Sequence, residues 1–187
     1  MPPRHVVVEP PFLFKNMSKN VDWAPDLTSE TILGRNSFAL FGLPVQLEID
    51  EDILEERYLK WTQKAHPDRN IDHQEWAILL TSRINQAYVE LTNFRLRAEL
   101  FLKIKTGSEH PSENRKALPK GFLKEVFKWN ELQEDGSLSI DEVEDRYDNC
   151  LDDLIALSKQ EPLDEKRFTE QMNSLKYLEN LITAEEK

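Results

Sequence analysis

The sequence predicts an almost entirely α-helical protein, all-α in class, from three observations. Glycine is scarce, 5 residues among 187, while Leu, Glu and Lys are abundant and 39% of residues are hydrophobic, a balance that favours helices over sheet. Apolar residues recur at spacings of three and four in one stretch after another, which gathers them onto one helix face. Capping residues and Gly or Pro stops bracket those stretches. At 187 residues the chain holds one large or two small domains, and either can bury a core.

Residues 1–34 are the exception to the helical pattern. They carry Pro2, Pro3, Pro10, Pro11 and Pro25 and read as an irregular extension. Val6-Val7-Val8 and Phe12-Leu13-Phe14 can add a short strand or pack on the surface. A secretory signal is not expected, because Glu9 and two prolines break the apolar run; Glu9, Asp22, Asp26 and Glu30 argue against a mitochondrial presequence. Asn36–Pro44 then reads as one or two helical turns stopped by Gly42 and Pro44, with Phe38, Phe41 and Leu43 packing beneath the next pair of helices.

The first helix of that pair is predicted from about Asp50 to Ala65. Asp50 is its N-cap, Glu51 and Asp52 complement its dipole, and Leu54, Tyr58, Trp61 and Ala65 share a face. Pro67 biases His66 out of helical geometry, so the chain turns at Ala65-His66-Pro67-Asp68-Arg69. The second helix, about Asp72 to Thr92, carries a matching seam in Trp76, Leu80, Ile84, Ala87 and Leu91. Two antiparallel helices joined by a turn result. A further helix, about Asn93 to Lys105, presents Leu96, Phe101, Leu102 and Ile104 and stops at Gly107.

Residues 36–105 resemble a J-domain, on the short first helix, Tyr58 and Trp61, His66-Pro67-Asp68-Arg69, and Ile84-Asn85-Gln86-Ala87-Tyr88. The resemblance implies that the His66-Pro67-Asp68 turn touches a DnaK-type ATPase chaperone and stimulates its ATP hydrolysis, the chain itself catalysing no bond change. Independently, Arg57, Lys60 and Lys64 form a basic stripe beside the apolar seam, and Arg69 continues it past the turn. In a chain of net charge -11 the stripe is a local exception. It can steer an acidic partner surface while Asp68 offers a partner arginine an acceptor. The competing structural role is a solvated face with Asp68 capping the next segment.

Thr106 to Pro119 reads as a polar linker. Beyond it lie three helical stretches. In the first, about Lys120 to Gln133, Phe122, Val126 and Trp129 form a core face while Leu123 and Phe127 project to one side. Either the core stripe is wide enough to touch two neighbours, or Leu123 and Phe127 are apolar anchors for a partner with Glu131 as a polar contact. The second, about Ser139 to Ser158, places Ile140, Val143, Tyr147, Cys150, Leu151 and Leu154 on one broad face, with Cys150 a small core residue. The third, about Asp164 to Ala184, buries Phe168, Met172, Leu175 and Ile182 and leaves Tyr177, and Leu181 near it, off the core side.

With this rear half included, the chain resembles the HscB-type J-proteins of iron-sulfur cluster assembly. The residues are Arg97-Ala98-Glu99, Phe101-Leu102, Phe122-Leu123 and Leu175-Lys176-Tyr177-Leu178. The resemblance implies an N-terminal J-domain (35–105), a linker (106–119) and a C-terminal bundle of three helices (120–187), L-shaped as a whole. The bundle is expected to bind an IscU-type scaffold and deliver it to an HscA-like DnaK-type chaperone. Scaffold contacts would fall on Leu123, Lys124, Phe127, Lys128, Glu131 and Tyr177. Lys124 stands where an apolar residue is common, and Lys128 where an acid is common. Before Asn36 there is no cysteine, so the chain resembles the simpler form without the cysteine-rich zinc module. A cytoplasmic location is expected, or the mitochondrial matrix if the source is eukaryotic.

Other classes are weaker. The negative charge argues against general nucleic-acid binding, and no apolar run reaches membrane-span length. A single cysteine excludes an internal disulfide and a cysteine zinc site. His5, His66, His73 and His110 show no paired ligand spacing, and no phosphate-cradling loop or nucleophile elbow is present, so no catalytic residue, metal or cofactor is expected. A calcium loop is the one alternative from another class. Glu131, Gln133, Asp135, Gly136, Leu138 and Glu142 fall on EF-hand-like positions, although Glu and Gln replace the shorter acids wanted first and third, and Gly136 also explains a plain hairpin.

Overall fold

The computed structural model describes residues 34–107 and 117–185, and every regular element among them is helical. The apolar runs expected at Val6–Val8 and Phe12–Phe14, and most of the expected linker, lie outside the described residues.

Short α1 (Ser37–Leu40) starts where the Asn36 side chain accepts the Ala39 N–H at 2.9 Å. α2 (Glu51–Ala65) starts on Asp50, whose carboxylate accepts the Ile53 N–H at 3.0 Å. α3 (Gln74–Thr92) begins later than its apolar period predicts, because two 3-10 turns, Pro67–Arg69 and Ile71–His73, occupy the connection. α4 (Phe94–Thr106) is capped by Asn93 and ends on left-handed Gly107 at φ 67°. α5 (Phe122–Glu134), α6 (Ile140–Ser158) and α7 (Glu165–Glu185) complete the helices among the described residues.

Two cores result. In the front core Phe38, Leu40 and Phe41 lie under the α2–α3 hairpin against Leu54, Trp61, Ala65, Leu80, Ile84, Ala87 and Leu91. Trp61 is fully buried, and its indole N–H donates to the Leu40 carbonyl at 3.0 Å. That bond removes the one polar cost of burying so large a side chain. The α3 seam departs from expectation at one place: Trp76 is half-buried while its neighbour Ala77 is fully buried. An alanine lets the backbones approach closely, and the indole covers the rim.

The rear core joins α5, α6 and α7 to one face of α4. Ala98, Phe101 and Leu102 of α4 pack with Phe122, Trp129, Val143, Cys150, Leu154, Phe168 and Leu175, and the Phe101 and Phe168 rings stack at 5.7 Å. Leu100 and Ile104 of the same α4 lie against the front core, so one helix is shared by both. Leu47, in the α1–α2 connection, also enters the rear core. Arg95–Glu179 at 3.1 Å, Lys105–Glu161 at 3.0 Å and Lys159–Glu48 at 2.5 Å tie the front elements to the rear ones. Because α7 packs against both α6 and α4, it buries more than one face. Leu181, expected off the core, is therefore buried, together with Leu178, while Ile182, expected in it, is only half-buried.

Candidate functional site

The turn after α2 is a closed hydrogen-bond structure. A helix end leaves carbonyls without partners; here side chains from three places take them. Arg69 donates to Gln63 O at 3.3 Å, the Asn70 amide donates to Lys64 O at 2.9 Å and to His66 O at 3.0 Å, and the Thr81 hydroxyl of α3 donates to Ala65 O at 3.3 Å. Backbone bonds from Arg69 N to His66 O and from Asn70 N to Pro67 O, each 3.0 Å, wind the 3-10 turn itself. The cap of that turn is His66, whose Nδ1 accepts the Asp68 N–H at 3.2 Å. Asp68 does not cap the next segment, since neither the Ile71–His73 turn nor α3 has a side-chain cap; its carboxylate projects 88% exposed, 3.7 Å from His66 Nδ1. A backbone held by these bonds presents an exposed acceptor.

The basic residues beside the turn differ in what they do. The Arg57 guanidinium donates to Phe41 O and Gly42 O, both at 2.7 Å, and burial pulls its pKa below the ordinary arginine value. It fastens the end of α1 to α2 and is only partly available to a partner. Lys60 is exposed in an ion pair with Glu56 at 2.7 Å, and Arg69 is exposed while reaching back to Gln63. Lys64 lies between them, half-buried. At the edge of the front core, the Tyr58 and Tyr88 rings stack at 4.1 Å and the Tyr58 hydroxyl meets Asn85 Oδ1 at 3.1 Å, a brace between α2 and α3.

The second candidate surface is on α5. Phe122 and Trp129 are buried, Val126 is half-buried, and Leu123 and Phe127 are 54% and 66% exposed. A wide core stripe is thereby excluded for those two. Tyr177 of α7 is brought to the same place: its ring meets Phe122 edge-on at 6.0 Å and its hydroxyl bonds Asn130 Oδ1 at 2.9 Å. Burial raises the Tyr177 pKa. On α5, Asn130 falls on the same side as Leu123 and Phe127, so Tyr177 borders the apolar pair. Lys124, Lys128 and Glu131 are on the adjoining side, and Lys128 pairs with Glu142 of α6 at 2.7 Å. That hydrogen bond, then the lysine's charge, holds the Glu142 carboxyl below the usual glutamate range.

The calcium reading of this stretch is not supported by the geometry. Glu131 and Gln133 lie within α5, Ser137 N bonds Leu132 O at 2.8 Å around left-handed Gly136, and the Glu142 carboxylate is taken by Lys128. This is a helix C-cap with Gly at the left-handed position. Among the described residues no group of three or more His, Cys, Asp or Glu is placed to hold a metal, and no helix is long and apolar enough to cross a membrane. Cys150 is buried, its thiol pushed up to about 12 by burial, and packs as a core residue.

Sequence reasoning did not single out Asn70, Thr81 or Asn130, and it met Glu142 only as a calcium-loop position. For Asn70 a signal existed: the last carbonyls of α2 need donors, and a side-chain amide just past a His-Pro turn is well placed to supply them. The roles of the other three depend on neighbours far along the chain.

No family model matches the chain. Over 104 residues, 54% of this chain, it is 31% identical to the co-chaperone protein HscB homolog of Mannheimia succiniciproducens, of whose length the match spans 60%. Over 128 residues, 66% of this chain, it is 32% identical to the HscB homolog of Ralstonia nicotianae, spanning 69% of that protein. The crystal structure of the human co-chaperone protein HscB shares the fold, with a TM-score of 0.70 at 22% identity over 87% of this chain and 85% of that one.

Proposed function

The chain belongs to the HscB co-chaperone family, and from that premise we propose that it works as an adaptor in iron-sulfur cluster assembly. The α5 face with Tyr177 holds an IscU-type scaffold, and His66, Pro67 and Asp68 stimulate ATP hydrolysis by a DnaK-type, HscA-like chaperone. No bond is made or broken by this chain. The reading is carried by one observation: a turn whose backbone is bonded closed presents an exposed Asp68, on a hairpin sharing α4 with the bundle that exposes Leu123 and Phe127.

Physically, the turn contributes specificity more than area. Asp68 offers a carboxylate to a partner cation at no further ordering cost to the backbone, since the surrounding bonds already fix it. Lys60, Lys64 and Arg69 supply the local positive field that orients an acidic chaperone surface, and Arg57 mainly positions the helix that carries them. At the other end, Leu123 and Phe127 are the apolar anchors, with Lys124, Lys128, Glu131 and Tyr177 around them. Linking the two ends in one chain turns scaffold delivery into a matter of effective concentration. A cytoplasmic setting, or the mitochondrial matrix in a eukaryote, belongs to the same reading.

Capture of a purified IscU-type scaffold on the immobilised chain tests the client half. Capture that is lost in Phe127→Ala supports the reading; capture unaffected by that change would move the scaffold to another face, and no capture by the unaltered chain would leave a J-protein serving some other client.

A further inference from the structure

The α5 face is polarised, and the polarity runs against the helix. Around α5, at about 100° per residue, the order from the α7 side to the α6 side is Asn130, Leu123, Phe127, Glu131, Lys124, Lys128. Each edge is fixed by a contact: Asn130 to Tyr177 of α7 at 2.9 Å, and Lys128 to Glu142 of α6 at 2.7 Å. Between them Leu123, Phe127, Glu131 and Lys124 are all exposed. Lys124 lies in the first turn of α5 and Glu131 in its last. A helix dipole favours the reverse, by about 0.3–1 kcal/mol for each charge. Helix stability therefore does not account for either charge.

The two lysines are not equivalent. Lys128 is neutralised within the chain by Glu142. Lys124, one turn away, has no ion pair among the described residues. Lys124 is three residues from Phe127 and borders the apolar pair on the exposed surface of α5. The neighbouring helix α6 is acidic, with Asp141, Glu144, Asp145, Asp148 and Asp152 exposed. A carboxylate is welcome at the Lys124 end of the strip and repelled beyond it.

We propose that Lys124 is a charge contact for the client, and that the scaffold face seated on α5 pairs an apolar hollow for Leu123 and Phe127 with a carboxylate next to that hollow. This rests on α5 being the client face. It names what that face selects: the apolar pair supplies affinity, and the unpaired lysine fixes register and rejects a scaffold with a basic rim.

The test is calorimetric binding of a purified IscU-type scaffold to the full chain at low and high salt. Lys124→Glu is expected to weaken binding about 5–10-fold at low ionic strength, the difference shrinking near 1 M salt, where screening acts within about 3 Å. Lys166→Gln, at an exposed lysine in the first turn of α7 and outside this face, should change affinity less than about twofold. A scaffold variant with the contacting acid changed to lysine should recover binding to Lys124→Glu. Unchanged affinity in Lys124→Glu, with Phe127→Ala still weakening binding, would overturn the charge contact and leave α5 as the client face. If Phe127→Ala also binds normally, the client-face reading falls and the charge contact with it.

Discussion

The two candidate surfaces are built on opposite principles. At the turn, nearly every polar group that could wander is already bonded: Gln63, Lys64, Ala65 and His66 carbonyls each have a side-chain donor, and what remains for a partner is the Asp68 carboxylate. On α5 the backbone is ordinary helix and the available groups are apolar side chains, Leu123 and Phe127, left more than half uncovered by the described residues. A polar contact must be prearranged, because a misplaced hydrogen bond leaves desolvated groups unsatisfied. An apolar contact tolerates adjustment and gains with area removed from water. The turn is thus built for a prearranged polar contact and the α5 face for an adjustable apolar one.

If that contrast is right, the largest single effect lies on α5. Phe127→Ala should cost about 2 kcal/mol of scaffold binding, roughly 30-fold, as a central aromatic anchor does. With the side chain 66% exposed, the melting temperature should hardly change; a large drop in stability would mean that Phe127 is structural after all. Arg57 should show the reverse pattern. Arg57→Ala removes two charge-assisted bonds to Phe41 O and Gly42 O and should destabilise the fold by about 1–3 kcal/mol in chemical denaturation. Lys60→Ala, on the same stripe, should alter stability by less than about 0.5 kcal/mol yet weaken the chaperone contact. Equal effects from both would dissolve the distinction between positioning and contact.

That distinction was beyond the sequence. Arg57 and Lys60 occupy the same stripe by spacing; only the arrival of the α1 end beneath α2 commits one of them to carbonyls. The turn was legible because Pro67 acts locally and the seams of Leu54–Ala65 and Leu80–Leu91 match across it. The exposed pair on α5 was legible as apolar surface beyond what one packing contact needs. Leu181 was misplaced for a physical reason: a helical period identifies one core face, and α7 is packed on more than one. The pairing of Lys128 with Glu142 crosses a helix hairpin, and no spacing rule within one helix reveals it.

The smallest effect concerns that pair. Glu142 titrates below the ordinary glutamate range in the folded chain, so the folded state binds its proton less readily than the unfolded chain does. Its stabilising contribution is complete above the ordinary carboxylate range and is lost as pH falls through the depressed value. Stability followed by urea titration across acidic pH should therefore fall slightly less steeply in Glu142→Gln. Identical pH profiles would mean that the contact at this exposed site carries no weight.

The most direct test of the adaptor mechanism is the ATPase rate of the DnaK-type chaperone alone, with this chain, and with its Asp68→Asn variant, each with and without the IscU-type scaffold. The chain is expected to raise the rate and scaffold to raise it further, while Asp68→Asn abolishes the increase and still binds scaffold through α5. Full stimulation by Asp68→Asn would contradict that mechanism.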